Sequence, residues 1–117
     1  MKKEEAGKVV LMLHLWPDQG ESAAVFESLK MIEGPTRARR GCRFFGAFRS
    51  DGGGPELVLL AEWDTRDAME GHVRSRDFRV VLAAMDTSAR EPSFRVDTVE
   101  SSEGFECVAG ILGGGAR

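Results

Sequence analysis

The segment Glu56–Trp63 constrains the fold most strongly, because its pattern is that of a strand with two apolar faces. One face carries Leu57, Leu59, Ala61 and Trp63, and the other carries Val58, Leu60 and Glu62. Such a strand is typical of the middle of a sheet that is covered on both sides. The turn signal Asp51-Gly52-Gly53-Gly54-Pro55 precedes it and predicts a hairpin with the alternating strand Cys42–Ser50.

The remaining elements follow from periodicity and from helix start and stop signals. We expect strands at Lys8–Trp16 and Phe94–Glu100, and a short fifth strand at Phe105–Leu112. A first helix begins near Ser22, and a further turn of helix covers Thr36–Arg40 after Pro35. A second helical region has two pieces, the first capped by Asp64 or Thr65 and the second by Ser75. The order β-α-β-β-α-β predicts a ferredoxin-like α+β fold, with an antiparallel sheet and helices on one face.

A chain of 117 residues predicts one domain. We divide it into a flexible leader (1–7), the folded domain (8–100), a C-terminal strand or arm (101–112) and a disordered tail (113–117). The apolar second face of the sheet predicts a homodimer in which two sheets face each other. The C-terminal arm is expected at that interface.

Composition excludes several classes of function. The net charge is −3, so the basic surface expected of a nucleic-acid-binding protein is missing. No apolar run of 18 residues occurs, which predicts no membrane span. The two cysteines, Cys42 and Cys107, form neither a disulfide framework nor a metal motif, and we expect them to pack as small apolar residues. This cysteine usage favours a cytoplasmic protein without a bound metal.

Several short motifs resemble the antibiotic biosynthesis monooxygenase family. They are Glu62-Trp63 followed by Ala68, the spacing His72-x-x-Ser75-x-x-Phe78, Gly41-Cys42 before the second strand, and Glu91-Pro92 before the fourth. The resemblance covers residues 8–100 and implies a dimeric α+β barrel. It also implies a cofactor-independent monooxygenase that acts on a small aromatic or quinone-like compound. The alternative is a non-catalytic small-molecule-binding or assembly module of the same fold.

The resemblance also suggests site residues. Trp63 resembles the family's pocket tryptophan, and Arg79 approximately matches an arginine of quinone-forming members. Leu59 and Met69 stand where such members have an asparagine and a tyrosine, and this chain has no tyrosine. A tyrosine-dependent mechanism is therefore excluded. Leu59, Met69, Phe44 and Phe48 are expected to line the slot for the ligand, together with His14.

Three polar side chains have alternative interpretations. His72 is either a catalytic base or a structural histidine that bridges a helix and a strand near Ser75. His14 either faces the ligand or lies at the surface or interface. Glu62 either has a raised pKa or forms an ion pair with an arginine such as Arg43, and we favour the ion pair because buried charges are normally paired.

Overall fold

The computed structural model describes residues 7–114, which form one antiparallel sheet and five helices. The strands are β1 (Val9–Leu15), β2 (Cys42–Arg49), β3 (Leu57–Trp63) and β4 (Ser93–Thr98). The helices are α1 (Ser22–Met31), α2 (Glu33–Arg37), α3 (Arg66–Val73), α4 (Phe78–Asp86) and α5 (Phe105–Gly114). The strand order is β2-β3-β1-β4, as the ferredoxin-like prediction requires. Residues 1–6 of the predicted leader and 115–117 of the predicted tail lie outside the described part of the chain.

The strand register separates the two faces of the sheet. Leu11 of β1 pairs with Ala61 of β3, and Leu13 pairs with Leu59, so these side chains share one face. That face is fully covered and forms the hydrophobic core with residues of α1, α3 and α4. The two central strands alternate between buried and half-buried side chains along their whole length. The helices therefore cover one face only, as expected.

The opposite face, which we call the open sheet face, has an apolar centre. Its side chains on the three strands other than β4 are Val10, Met12, His14, Phe44, Gly46, Phe48, Val58, Leu60 and Glu62. Phe44 and Phe48 lean over Gly46 with ring centroids 6.3 Å apart, and Phe48 is 50% exposed. On β4 the same face is polar, with Ser93, Arg95 and Asp97. The apolar surface thus ends at this edge strand.

The predicted ion pair between Glu62 and Arg43 is wrong. Arg43 lies in a β-bulge between Cys42 and Phe44, which removes it from the regular alternation of β2. Its guanidinium donates instead to Asp64 Oδ1, just after the end of β3, at 2.5 Å. The hydrogen bond and the charge of Asp64 raise the pKa of Arg43.

The predicted fifth strand is also wrong, because residues 105–114 form helix α5. The segment alternates with period 2, but Phe105, Val108 and Leu112 also follow the i, i+3, i+7 spacing of a helix. A short apolar run fits both patterns, and periodicity alone does not separate them. Glu106, in the first turn, is also favourable for a helix N-terminus.

Three of the four predicted helix starts need correction, and one is confirmed. The turn of helix predicted at Thr36–Arg40 is α2, which begins earlier, at Glu33, and contains Pro35. The Thr65 hydroxyl accepts the Ala68 N–H at 3.1 Å and caps α3. Ser75 does not cap α4, which begins at Phe78; its hydroxyl donates to the His72 carbonyl at 2.6 Å and so closes the end of α3. Ser22 is the first residue of α1, and its hydroxyl donates to the Pro55 carbonyl.

Side chains of α2 cover the outer edge of β2. The Glu33 carboxylate accepts the Ala47 N–H at 2.9 Å, and Arg37 Nε donates to the Phe45 carbonyl at 2.7 Å. Burial acts to raise the pKa of Glu33, but the Ala47 hydrogen bond and the nearby Lys30 and Arg37 lower it below its ordinary value. Two of the groups that a foreign strand would bond on this edge, the Ala47 N–H and the Phe45 carbonyl, are therefore occupied.

Gly41 brings α3 close to the start of β2. Its φ of +87° is unfavourable for other residues, and a Cβ added there would lie 2.6 Å from the Ala68 Cβ. The Gly41 carbonyl also accepts the Asp64 N–H at 2.7 Å. The close approach of Gly41 and Ala68 sets the position of α3 on the sheet.

We predict that Gly41→Ala lowers the free energy of unfolding by roughly 2–4 kcal/mol, the sum of a backbone and a steric cost. Gly53→Ala is the matched control, because Gly53 has the same φ of +87° with nothing within 4 Å. It should lose only about 1 kcal/mol. Urea unfolding measures both values, and equal losses would contradict the steric role of Ala68. Adding Ala68→Gly to the Gly41→Ala chain should recover the steric part.

Candidate functional site

The sheet divides the predicted site residues into separate groups. Trp63, Leu59, Met69 and His72 lie together on the helix-covered face and are buried. His14, Phe44 and Phe48 lie on the open sheet face. Arg79 is exposed on α4. Within the described residues, its side chain forms no hydrogen bond or ion pair with either group. A single slot containing all eight residues is therefore not formed within one chain.

His72 lies among three aromatic rings, and we call His72, Phe45, Trp63 and Phe78 the aromatic cluster. The His72 ring centroid is 5.1 Å from that of Trp63, with the planes tilted by 30°. Phe45 and Phe78 each meet the imidazole edge to face, with centroids 5.4 Å away. This geometry is favourable for aromatic pairs. His72 is 1% exposed and Trp63 is 0% exposed, so the cluster is closed to solvent.

Helix α3 places the imidazole in this cluster. Ala68 and His72 are four residues apart and share one face of the helix, as do Met69 and His72 at a spacing of three. The contact of Ala68 with Gly41 therefore fixes the depth of His72 above the sheet. The same histidine also approaches α2, where the buried Thr36 Oγ1 lies 3.5 Å from His72 Nε2. His72 therefore bridges the two helices α3 and α2, whereas the structural interpretation expected a bridge between a helix and a strand.

Burial lowers the pKa of His72 from its ordinary value of 6.5 to about 4. The positive charge of Arg39 acts in the same direction, and the negative charge of Asp77 opposes it. The imidazole is therefore neutral at pH 7. A group with so low a pKa is a weak proton acceptor, so it serves better as a hydrogen-bonding group than as a base.

Two nitrogen atoms of the aromatic cluster are buried without a hydrogen-bond partner. They are the indole Nε1 of Trp63 and the Nδ1 of His72. Leaving such a group unsatisfied costs roughly 1–3 kcal/mol. Native structures rarely contain one without a reason, and a catalytic role is one such reason.

A second group of stacked side chains lies at one end of β1 and includes His14. Its imidazole stacks on the indole of Trp16, with ring centroids 4.3 Å apart. The guanidinium carbon of Arg90 lies over the same indole, 4.2 Å from its centroid. His14 Nε2 also bonds to the Glu56 carboxylate. This histidine faces away from the aromatic cluster, which agrees with the surface or interface interpretation of His14.

Sequence reasoning missed two members of the site. Strand alternation predicts that Phe45 and Phe44 lie on opposite faces of the sheet. The pattern does not indicate that Phe45 shares its face with Trp63, as the strand register shows. Thr36 follows Pro35 in a short helix without a motif. Phe78 was recognised as part of a spacing, and its contact with His72 is the additional finding.

Two further classes of site find no support in the described residues. Between residues 7 and 114, no three His, Cys, Asp or Glu side chains are grouped so as to hold a metal ion. Over the same range, no helix has the length and apolar character needed to cross a bilayer.

Comparisons with known proteins identify similar sequences and folds. The family model described as "Antibiotic biosynthesis monooxygenase" matches residues 8–84. Rv0793 from Mycobacterium tuberculosis is 25% identical, with a TM-score of 0.73 over 84% of this chain and 99% of that one. A conserved protein from Methanosarcina mazei Go1 is 14% identical, with a TM-score of 0.72 over 85% and 99%. A structure described as an antibiotic biosynthesis monooxygenase is 16% identical, with a TM-score of 0.66 over 76% and 95%. Among curated proteins, none matches this chain.

The lowered pKa of His72 predicts a loss of stability in mild acid. Between pH 6.5 and about 4 the unfolded chain binds a proton on this histidine and the folded chain does not, so the free energy of unfolding falls as the pH falls. Between pH 7.5 and 5 the loss due to His72 is about 2 kcal/mol.

Urea unfolding of His72→Leu isolates this contribution, because its pH dependence lacks the titration of His72. His14→Gln is the control and should keep the full loss. Equal pH dependence in the His72→Leu and unmodified chains would contradict the neutral, buried state of His72.

Proposed function

Because the chain belongs to the antibiotic biosynthesis monooxygenase family, we propose that it is a cofactor-independent monooxygenase for a small aromatic or quinone-like compound. The observation that carries this proposal is the pair of unsatisfied nitrogens, Trp63 Nε1 and His72 Nδ1, within a set of aromatic rings. Flat apolar surfaces suit an aromatic substrate, and two polar atoms suit its oxygen.

The indole nitrogen of Trp63 is a donor only, whereas His72 donates from one ring nitrogen when neutral. If the Thr36 hydroxyl donates to His72 Nε2, the proton of the imidazole lies on Nδ1. Both unsatisfied atoms then donate hydrogen bonds. Two donors in a water-excluded site stabilise an enolate or phenolate oxygen more strongly than water does.

Such an anion is electron-rich and reduces molecular oxygen itself. For a methylene flanked by two aromatic rings, one oxygen atom becomes the new carbonyl. The other oxygen atom leaves as water with the two methylene hydrogens. All four electrons come from the substrate, so no cofactor is required by this stoichiometry.

Entry of a substrate requires side chains to move, because the aromatic cluster is closed to solvent. Met69 is the best candidate, since an unbranched thioether side chain adapts its shape at low cost. Arg79 keeps its predicted role as a proposal for the anionic part of a substrate. Cys42 and Cys107 are free thiols, which suits the proposed cytoplasmic compartment.

The apolar character of Leu59 and Met69 favours a second candidate, a non-catalytic small-molecule-binding module. Both are buried beside the aromatic cluster and add no polar group to it. In that case an aromatic ligand binds without turnover, and the two nitrogens orient it only.

The activity test is oxygen uptake and product analysis with a panel of anthrones and hydroquinones. Trp63→Phe removes the indole N–H and keeps an aromatic ring, and we expect it to lower kcat at least about tenfold. Trp16→Phe, on the open sheet face, is the matched control and should retain activity. Arg79→Ala tests the third predicted residue.

Binding of panel members without oxygen uptake would support the non-catalytic module. A Trp63→Phe chain that folds normally and turns over at the unmodified rate would contradict the proposed site. Urea unfolding of each variant separates loss of chemistry from loss of fold.

We also propose that the chain is a homodimer joined through its open sheet face. On this face, β1 and β3 present half-buried side chains that are mostly apolar; the buried residues between them point to the core on the other side. Phe48 extends the apolar surface onto β2. A continuous apolar area of this kind is rarely left to water.

Light scattering should therefore give a mass of at least two 12.8 kDa chains. Met12→Glu should break the contact between the open sheet faces and lower that mass, because a carboxylate on each copy would face the apolar centre of the partner's sheet. Val73→Glu on α3, where Val73 is 38% exposed, is the control and should keep the mass of the unmodified chain. An unmodified chain that sediments as a monomer would contradict this arrangement.

A further inference from the structure

Helix α5 exposes its apolar side chains. Phe105 is 76% exposed, Val108 45%, Ile111 68% and Leu112 74%. The spacing i, i+3, i+7 of Phe105, Val108 and Leu112 places these side chains on one stripe, with Ile111 beside it. None of the four belongs to the hydrophobic core of the described residues. The stripe is of the kind that normally packs against another element.

A helix of this length needs such packing to be stable. α5 has ten residues, and those numbered 110, 113 and 114 are glycines. Isolated helices shorter than about 12 residues are marginal in water, and glycine weakens them further. The Cα radius of gyration is 16.8 Å, compared with about 13 Å for a compact domain of this length. The chain is thus more extended than its core alone requires.

An apolar groove lies on the helix side of the molecule, between α1 and α4. It has a volume of about 500 Å³. Its lining is mostly aliphatic and includes Val25, Met31, Ile32, Val80 and Ala84. Met31, at one end, is 77% exposed. A groove of this kind accepts the apolar face of a helix.

We propose that α5 of one copy packs into the α1–α4 groove of a second copy, and that the second copy returns the same contact. The chain carries both an unpartnered apolar helix and an unfilled apolar groove, and its own α5 does not occupy its groove. Both α5 and α1 have ten residues, so each is about 15 Å long. This interface is separate from the open sheet face, where the C-terminal arm was expected, and it is independent of the proposed activity.

The area of the contact is sufficient for a stable assembly. At roughly 100 Å² for each of the four side chains, one docked helix removes about 400 Å² of its own surface and a similar area of the groove. A reciprocal pair of contacts therefore buries about 1,600 Å² in total, the size of a standard stable interface. Reciprocity also closes this contact within one pair of chains, whereas a one-way contact would continue into a filament.

Disulfide trapping between two differently tagged chains tests the proposal. Both chains carry Cys42→Ser and Cys107→Ser; one also carries Met31→Cys in the groove, and the other carries Ile111→Cys on α5. Only contact between copies links the two tags. We expect about tenfold more linked product than in a control that carries Val73→Cys in place of Met31→Cys, because docking raises the local thiol concentration.

A yield no greater than that of the Val73→Cys control would overturn the proposal. A second outcome would also overturn it. If a chain carrying both Met31→Cys and Ile111→Cys forms an internal disulfide in dilute solution while the mixed chains stay unlinked, α5 occupies the groove of its own chain. Circular dichroism and urea unfolding confirm beforehand that each variant is folded. The readout is a covalent link, so it does not depend on whether the protein turns over a substrate.

Discussion

The two apolar faces of the central strands determine most of this structure. In β1 and β3 every second side chain is fully buried, and those between are half-buried. One face is satisfied within the chain by helices, which build the core and the aromatic cluster. Between residues 7 and 114 nothing covers the other face, apart from Phe44 and Phe48 leaning over Gly46. The fold, the candidate site and the proposed assembly therefore all depend on the same strand pattern.

The element order and the pairing of residues on each face were predictable from the sequence. Strand alternation separated Leu59 and Trp63 from Val58 and Leu60, because side-chain direction reverses at each residue. The pattern did not indicate which set faces the helices, so His14, Phe44 and Phe48 were grouped with Trp63 although they lie on the other face. α5 was predicted as a strand because a short apolar run fits both periods.

The aromatic cluster combines a stable core with an unsatisfied polar pair. Its rings pack in favourable geometries, and the neutral His72 avoids the cost of a buried charge. Trp63 Nε1 and His72 Nδ1 nevertheless lack partners. No sequence pattern predicted this, since it depends on the approach of α3 that Gly41 and Ala68 permit. A purely structural core would be more stable with apolar groups at these two positions.

The separation of the two tryptophans gives each face of the sheet its own optical reporter. The chain has no tyrosine, so its near-ultraviolet fluorescence comes from Trp63 in the core and from Trp16 on the opposite side. Trp63 lies against an imidazole in an apolar environment, whereas Trp16 is sandwiched between His14 and a guanidinium. Their emission should differ in wavelength and in quenching. Events in the core and events at the sheet surface are therefore separable in one unlabelled protein.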